Sequence, residues 1–151
     1  MGLNPEFIGR TYPASPSYVV GREKVREFAT AIGDDNPVSH DVAAARALGY
    51  TDVVAPPTFA FVLTHSSMGQ AMFDPDLGLD YSRVVHGEQR FSYSRPIVAG
   101  DELTVRAMIE GIRAVAGNDM LTLRAEVVDS AGDLVVTTHS VIVARGTAEE
   151  G

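Results

Sequence analysis

Asp34-Asp35-Asn36-Pro37-Val38-Ser39-His40-Asp41, continuing through Ala45 to Gly49-Tyr50, is the stretch on which the fold and chemistry of this chain turn. It places carboxylates, a hydroxyl and an imidazole, all able to handle protons, within one short segment. Asn36-Pro37 is turn chemistry. Asp41 suits the N-cap of a short helix over Val42 to Leu48, and Gly49 suits its end.

Upstream, Val25, Phe28, Ala29 and Ile32 fall at i, i+3, i+4 and i+7, so Arg22 to Ile32 reads as an amphipathic helix. Gly33 fits the position that closes it. Tyr18-Val19-Val20 is a short strand candidate, and residues 1–17, with their prolines, read as an extended lead-in. Downstream, Pro56-Pro57 opens a second major helix, since proline is tolerated in a first turn. It is expected from Pro57 to Phe73, and Phe59 to Leu63 are apolar on every side, which marks it as buried. Asp74-Pro75-Asp76 ends it.

The second half changes from period 3.6 to period 2. Val84 to Arg95 reads as a strand with Phe91, Tyr93 and Arg95 on one face. Leu103, Val105, Ala107 and Ile109 alternate with polar or larger side chains, and Leu121, Leu123, Ala125 and Val127 repeat the pattern. Asp129 to Asp133 is a hairpin turn before a last strand, Leu134 to Ala144. Thr147 onward reads as a disordered acidic tail. The expectation is one α+β domain over residues 1–146, in which an antiparallel five-stranded sheet wraps a long apolar helix: the hot-dog architecture.

Composition narrows the functions. A chain of 151 residues suits a single domain. Without cysteine it has neither a disulfide framework nor a thiolate metal site. A net charge of −8, spread along the chain, argues against nucleic acid. No apolar run is long enough for a membrane span, and Met1 to Glu6 lacks a signal-peptide pattern. A cytoplasmic location is therefore expected, with no metal and no cofactor.

Read with this spacing, the loop resembles the signature of the MaoC-like (R)-hydratase/dehydratase family: Asp-x-Asn-Pro-(Ile/Val)-His-x-Asp, then Ala, Gly and an aromatic at fixed offsets. Asp34, Asn36, Pro37, Val38, Asp41, Ala45, Gly49 and Tyr50 match in register. Val85-His86-Gly87-Glu88-Gln89 and Arg95-Pro96-Ile97-Val98-Ala99-Gly100-Asp101 look like the same family. The resemblance implies an acyl-thioester substrate carried on ACP or CoA, and a hot-dog dimer. It makes Asp34 the active-site carboxylate and points to Pro57, Thr58, Phe59, His86 and Gly87 as substrate-binding positions.

Two departures change that reading. Ser39 stands where the family has its catalytic His, and Pro56-Pro57-Thr58 follows Ala55 where the family has His-Gly-Met. Both look like the non-catalytic subunit of the heterodimeric (3R)-hydroxyacyl-ACP dehydratases of mycolic-acid elongation. Dehydration needs a base for the α-proton, an acid for the leaving hydroxyl and donors for the thioester oxygen. A serine hydroxyl is a poor base without a partner base. Pro57 has no N–H, which leaves Thr58 N–H in that turn. His40 is one residue off, and one helical step rotates a side chain by roughly 100°, so it is expected to point away from the Ser39 position.

The catalytic set, Asp34, Asn36, Ser39 and His40, is thus expected to be degenerate. The chain is expected to serve as channel wall and interface for a hot-dog partner subunit carrying Asp and His. The alternatives are a homodimeric acyl-thioester binding protein without catalysis, and a homodimeric hydratase with His40 or His86 as a non-standard base. An Asp34-Asp35 carboxylate pair is disfavoured. So is a metal site pooling His65, His86 and His139 with Asp34, because no motif spacing supports it. Hot-dog thioesterases often carry a carboxylate on the central helix, and Pro57 to Phe73 has none.

Overall fold

A computed structural model describes residues 2–148. It shows one antiparallel five-stranded sheet curled over a helix, as the change of period predicts. The elements are β1 (Tyr18–Val19), α1 (Arg22–Ala31), α2 (Val42–Ala47), α3 (Ala60–Met72), β2 (Val84–Tyr93), β3 (Glu102–Val115), β4 (Asn118–Asp129) and β5 (Leu134–Ala144). The sheet order is β1-β3-β4-β5-β2.

The helix boundaries follow local chemistry. Asp41 caps α2 by accepting from Ala43 N at 2.8 Å. Gly33 (φ 73°) and Gly49 (φ 91°) close α1 and α2 in the left-handed region, where glycine carries no Cβ penalty. α1 buries Val25 and Ala29, but Ile32 lies beyond its last residue and is 50% exposed, so it is not a core position. α3 begins at Ala60, three residues after the expected start. Pro57 disfavours the helical region for the residue before it, and Phe59 N bonds Pro56 O at 2.9 Å in a preceding turn. α3 is also not buried all round. Leu63, Thr64, Ser67, Met68 and Ala71 face inward, whereas His65 and Ser66 are exposed.

Two apolar clusters fill the space under the sheet. One gathers Val25, Phe59, Leu63, Val105, Ala125 and Val136. The other gathers Met68, Ala71, Leu77, Ile109, Leu121 and Ile142. Thr64, Ser67, Thr138 and Ser140, all buried polar residues, come from the stretches of α3 and β5 between them.

The N-terminal segment is more than a lead-in. Leu3 and Phe7 are buried in the second cluster. Residues 9–15 run along β3, with Gly9 N to Ile109 O at 2.8 Å, Tyr12 N to Ala107 O at 2.9 Å and Ser15 N to Val105 O at 2.8 Å. Of the expected tail, Thr147 and Ala148 are tied down: Thr147 Oγ1 donates to Asp119 Oδ2 at 2.7 Å, and Ala148 N bonds Gly117 O at 3.3 Å. Residues 149–151, with Met1, lie outside the described residues.

Candidate functional site

A cleft of about 480 Å³ opens where the Asp34–Ser39 loop, the Val54–Pro57 connector and the end of β2 meet. Asp34, Asn36, Ser39, Pro57, Tyr93 and Arg95 are among the residues that line it. Tight local bonding builds its loop wall. Asp34 Oδ1 accepts from Asn36 N at 3.0 Å, and Asn36 Oδ1 accepts from Val38 N at 3.1 Å, so each carboxylate or amide pins the turn after it. Pro37–Ser39 then forms a 3-10 turn.

Ser39 is 2% exposed. Its Oγ donates to Val54 O at 2.6 Å, and Val54 N returns a bond to Val38 O at 2.9 Å. The hydroxyl proton is therefore committed to a backbone carbonyl, and no base adjoins it. His40 is not part of the cleft lining. Its Nε2 lies 2.6 Å from Asp34 O. A carbonyl only accepts, so that nitrogen carries the proton. Arg26 Nε donates to His40 O at 2.8 Å and fixes the turn from behind.

Pro57 lines the cleft and supplies a carbonyl, not an N–H. Thr58 is exposed, and its N–H has no acceptor among the described residues. Phe59 is 0% exposed and meets Phe28 edge-on at 5.4 Å, so it is core and not cleft wall. His86 and Gly87 sit on β2, away from the cleft lining. The structure thus gathers Asp34, Asn36, Ser39 and Pro57, and leaves His40, Phe59, His86 and Gly87 outside.

Two cleft residues carry no role in the sequence reading. Tyr93 donates its hydroxyl to Pro57 O and so ties the end of β2 to the turn before α3. Burial pushes its phenol up to about 12. The strand pattern carries Tyr93 and Arg95 on one face, but β2 ends at Tyr93 and Arg95 lies in the bend beyond it. Its Nη1 meets Asp101 Oδ2 at 2.8 Å and its Nη2 meets Asp129 Oδ2 at 3.3 Å. Those hydrogen bonds raise the guanidinium, led by Asp101, and its charge is already neutralised. The only signal available was the Arg95-Pro96…Gly100-Asp101 run, whose role depends on a contact across the turn. Among the described residues no three His, Asp or Glu side chains converge as metal ligands. The cleft therefore offers an acceptor-rich loop wall, an apolar connector wall and no imidazole.

This fold and cleft define a hot-dog protein of the dehydratase class. The profile of the "FAS1-like, dehydratase domain region" matches residues 6–138, and the chain belongs to this MaoC-like dehydratase family. It is 58% identical over 151 residues to a UPF0336 protein of Streptomyces avermitilis, covering all of both chains. A solved MaoC-like dehydratase superposes with a TM-score of 0.87 at 40% identity; 92% of this chain aligns with 42% of that longer one. A subunit of the C-terminally truncated HadBC (3R-hydroxyacyl-ACP dehydratase) complex from Mycobacterium tuberculosis gives a TM-score of 0.82 at 32% identity, covering 91% of this chain and 96% of that one.

Proposed function

We propose that this hydratase-family chain is the non-catalytic hot-dog subunit of a (3R)-hydroxyacyl-thioester dehydratase/hydratase. In that role it supplies cleft wall and interface to a partner hot-dog subunit bearing Asp and His. The observation that carries this reading is Ser39. It occupies the position of the family's catalytic imidazole, and its hydroxyl is spent on Val54 O. Pro57 adds to this, since a residue without N–H stands where the family resemblance expects a backbone donor to the thioester oxygen.

The likeness to the HadBC complex, whose printed name is that of a (3R)-hydroxyacyl-ACP dehydratase, supports both the substrate class and an assembly of unlike subunits. The apolar connector wall, Val54 to Pro57, suits an acyl chain, and the Asp34–Ser39 wall suits the polar thioester end. A non-catalytic acyl-thioester binding protein is the second reading, favoured by the same open cleft. His40 as a replacement base is disfavoured, because its Nε2 bonds the Asp34 carbonyl instead of facing the cleft.

The test is enoyl-thioester hydration by the chain alone and mixed with a hot-dog subunit carrying the Asp-x-Asn-Pro-x-His signature. The reading expects turnover only in the mixture, at a rate above that of the signature-bearing subunit alone. No enhancement in the mixture would favour the binding protein.

A further inference from the structure

The cleft has lost its hydrogen-bond donors but kept a free acceptor. Pro56, Pro57 and Pro96 line it without any N–H. The other lining residues of the loop and connector walls spend theirs within the chain. Ser39 N goes to Asn36 O at 3.0 Å and Ala55 N to Ile97 O at 2.8 Å, while Asn36 N and Val38 N are taken by side chains of the loop itself. Thr58 keeps an N–H without an acceptor, but it does not line the cleft.

Tyr93 takes the remaining route. Its hydroxyl donates to Pro57 O and accepts from the N–H of Ala60, the first residue of α3. The phenol therefore occupies the α3 N-terminus, where unpaired backbone N–H groups would otherwise receive a ligand oxygen. Side-chain donors are equally engaged. Ser39 Oγ donates to Val54 O, and Arg95 is held by Asp101 and Asp129. Asn36 Nδ2 and Ser94 Oγ belong to exposed residues, where water competes for them.

The acceptor is Asp34. This half-buried residue lines the cleft, its Oδ1 accepts from Asn36 N, and its Oδ2 has no partner among the described residues. His40, the nearest imidazole in sequence, bonds the Asp34 backbone carbonyl and not its carboxylate.

That imbalance separates three forms of one ligand. A 3-hydroxyacyl thioester, its enoyl form and its saturated form carry the same carbonyl, for which these walls hold no buried donor. Only the first carries a hydroxyl proton for Asp34 Oδ2. A site matched to a hydroxyl disfavours the analogue without it, because its own polar group is then left unpaired against an apolar chain.

We propose that the cleft is a hydroxyl-selective acyl-thioester site, in which Asp34 accepts the 3-hydroxyl while Tyr93, seated on the α3 N-terminus, denies the thioester oxygen a donor. The proposal rests on the acyl-thioester reading above and names the form of acyl group this cleft retains.

Isothermal titration of the full chain with (3R)-3-hydroxybutyryl-CoA, crotonyl-CoA and butyryl-CoA tests it. The hydroxybutyryl thioester is expected to bind about tenfold or more tighter than the other two, the effect of one hydrogen bond to a charged acceptor. Asp34→Ala makes the three alike, and Asp34→Asn, which keeps an oxygen for Asn36 N, serves if the alanine variant fails to fold. Infrared difference spectra of bound butyryl-CoA read Tyr93. Its thioester carbonyl stretch is not lowered by the unsubstituted chain and is lowered by Tyr93→Phe, which releases Ala60 N–H; a purely structural tyrosine would not move that band. Equal binding of the three thioesters, discrimination that survives loss of the Asp34 carboxylate, or a carbonyl band alike in the two proteins overturns the proposal and leaves the acyl-thioester reading standing. Binding of none of the three overturns both.

Discussion

Ser39 Oγ donates to the Val54 carbonyl oxygen at 2.6 Å inside a site that is 2% exposed. The bond joins the Asp34–Ser39 loop to the connector leading into α3 and pins the two together. Ser39→Ala leaves the Val54 carbonyl buried without that donor, and a loss of about 1–3 kcal/mol is expected. Urea unfolding followed by circular dichroism reads it. An unchanged midpoint would mean that the bond contributes nothing.

Thr138 is expected to behave in the opposite way. Its Oγ1 is buried with no hydrogen-bond partner, and the residue is 0% exposed. Thr138→Val keeps the shape and removes the orphaned hydroxyl. The variant should gain about 1 kcal/mol in the same unfolding measurement. A loss of stability would show that the hydroxyl has a partner in solution.

Tyr93 gives an alkaline signature. Its phenol is pushed up to about 12 by burial, and Tyr12, half-buried and donating to Asp74 at 3.1 Å, is raised to about 12 as well. Both folded values exceed the unfolded value of 10.0. Their contribution to stability is therefore complete below about pH 10 and is lost as pH rises toward 12. Ultraviolet titration should find two tyrosines ionising late. Tyr93→Phe should remove one of them and loosen the turn before α3.

Asp52 gives the acid counterpart. The Arg22 guanidinium, with Nη2 to Oδ2 at 2.7 Å, lowers its carboxyl to about 2, with help from Val53 N–H. A depressed acid contributes stability above its unfolded value near 4, lost as pH falls toward 2. Arg22→Gln should flatten the stability profile across that window in acid titrations monitored by circular dichroism. An unchanged slope would remove the pair from the acid response.

The fold was legible because periodicity is local. Val25, Phe28 and Ala29 announce α1, and Leu121, Leu123, Ala125 and Val127 announce β4. The loop was legible because Asp34, Asn36, Asp41 and Gly49 each act on backbone within a few residues. Long-range partners were hidden. Prolines in residues 1–17 mask the pairing of Gly9, Tyr12 and Ser15 with β3. Nothing near Tyr93 reveals that it reaches Pro57, 36 residues earlier. Arg95 reads only as a strand and turn residue, and nothing near it shows that Asp101 and Asp129 hold it. His86 reads as part of the family's site because spacing cannot show that the Gly87 bulge turns it toward Phe61.

The central claim is that this chain keeps the frame of a dehydratase loop without its base. Hydration of crotonyl-CoA and longer enoyl-CoA by the purified chain, set beside Asp34→Ala, tests it most directly. The account predicts no turnover above the uncatalysed rate in either protein. Turnover by the chain that disappears on Asp34→Ala would contradict it.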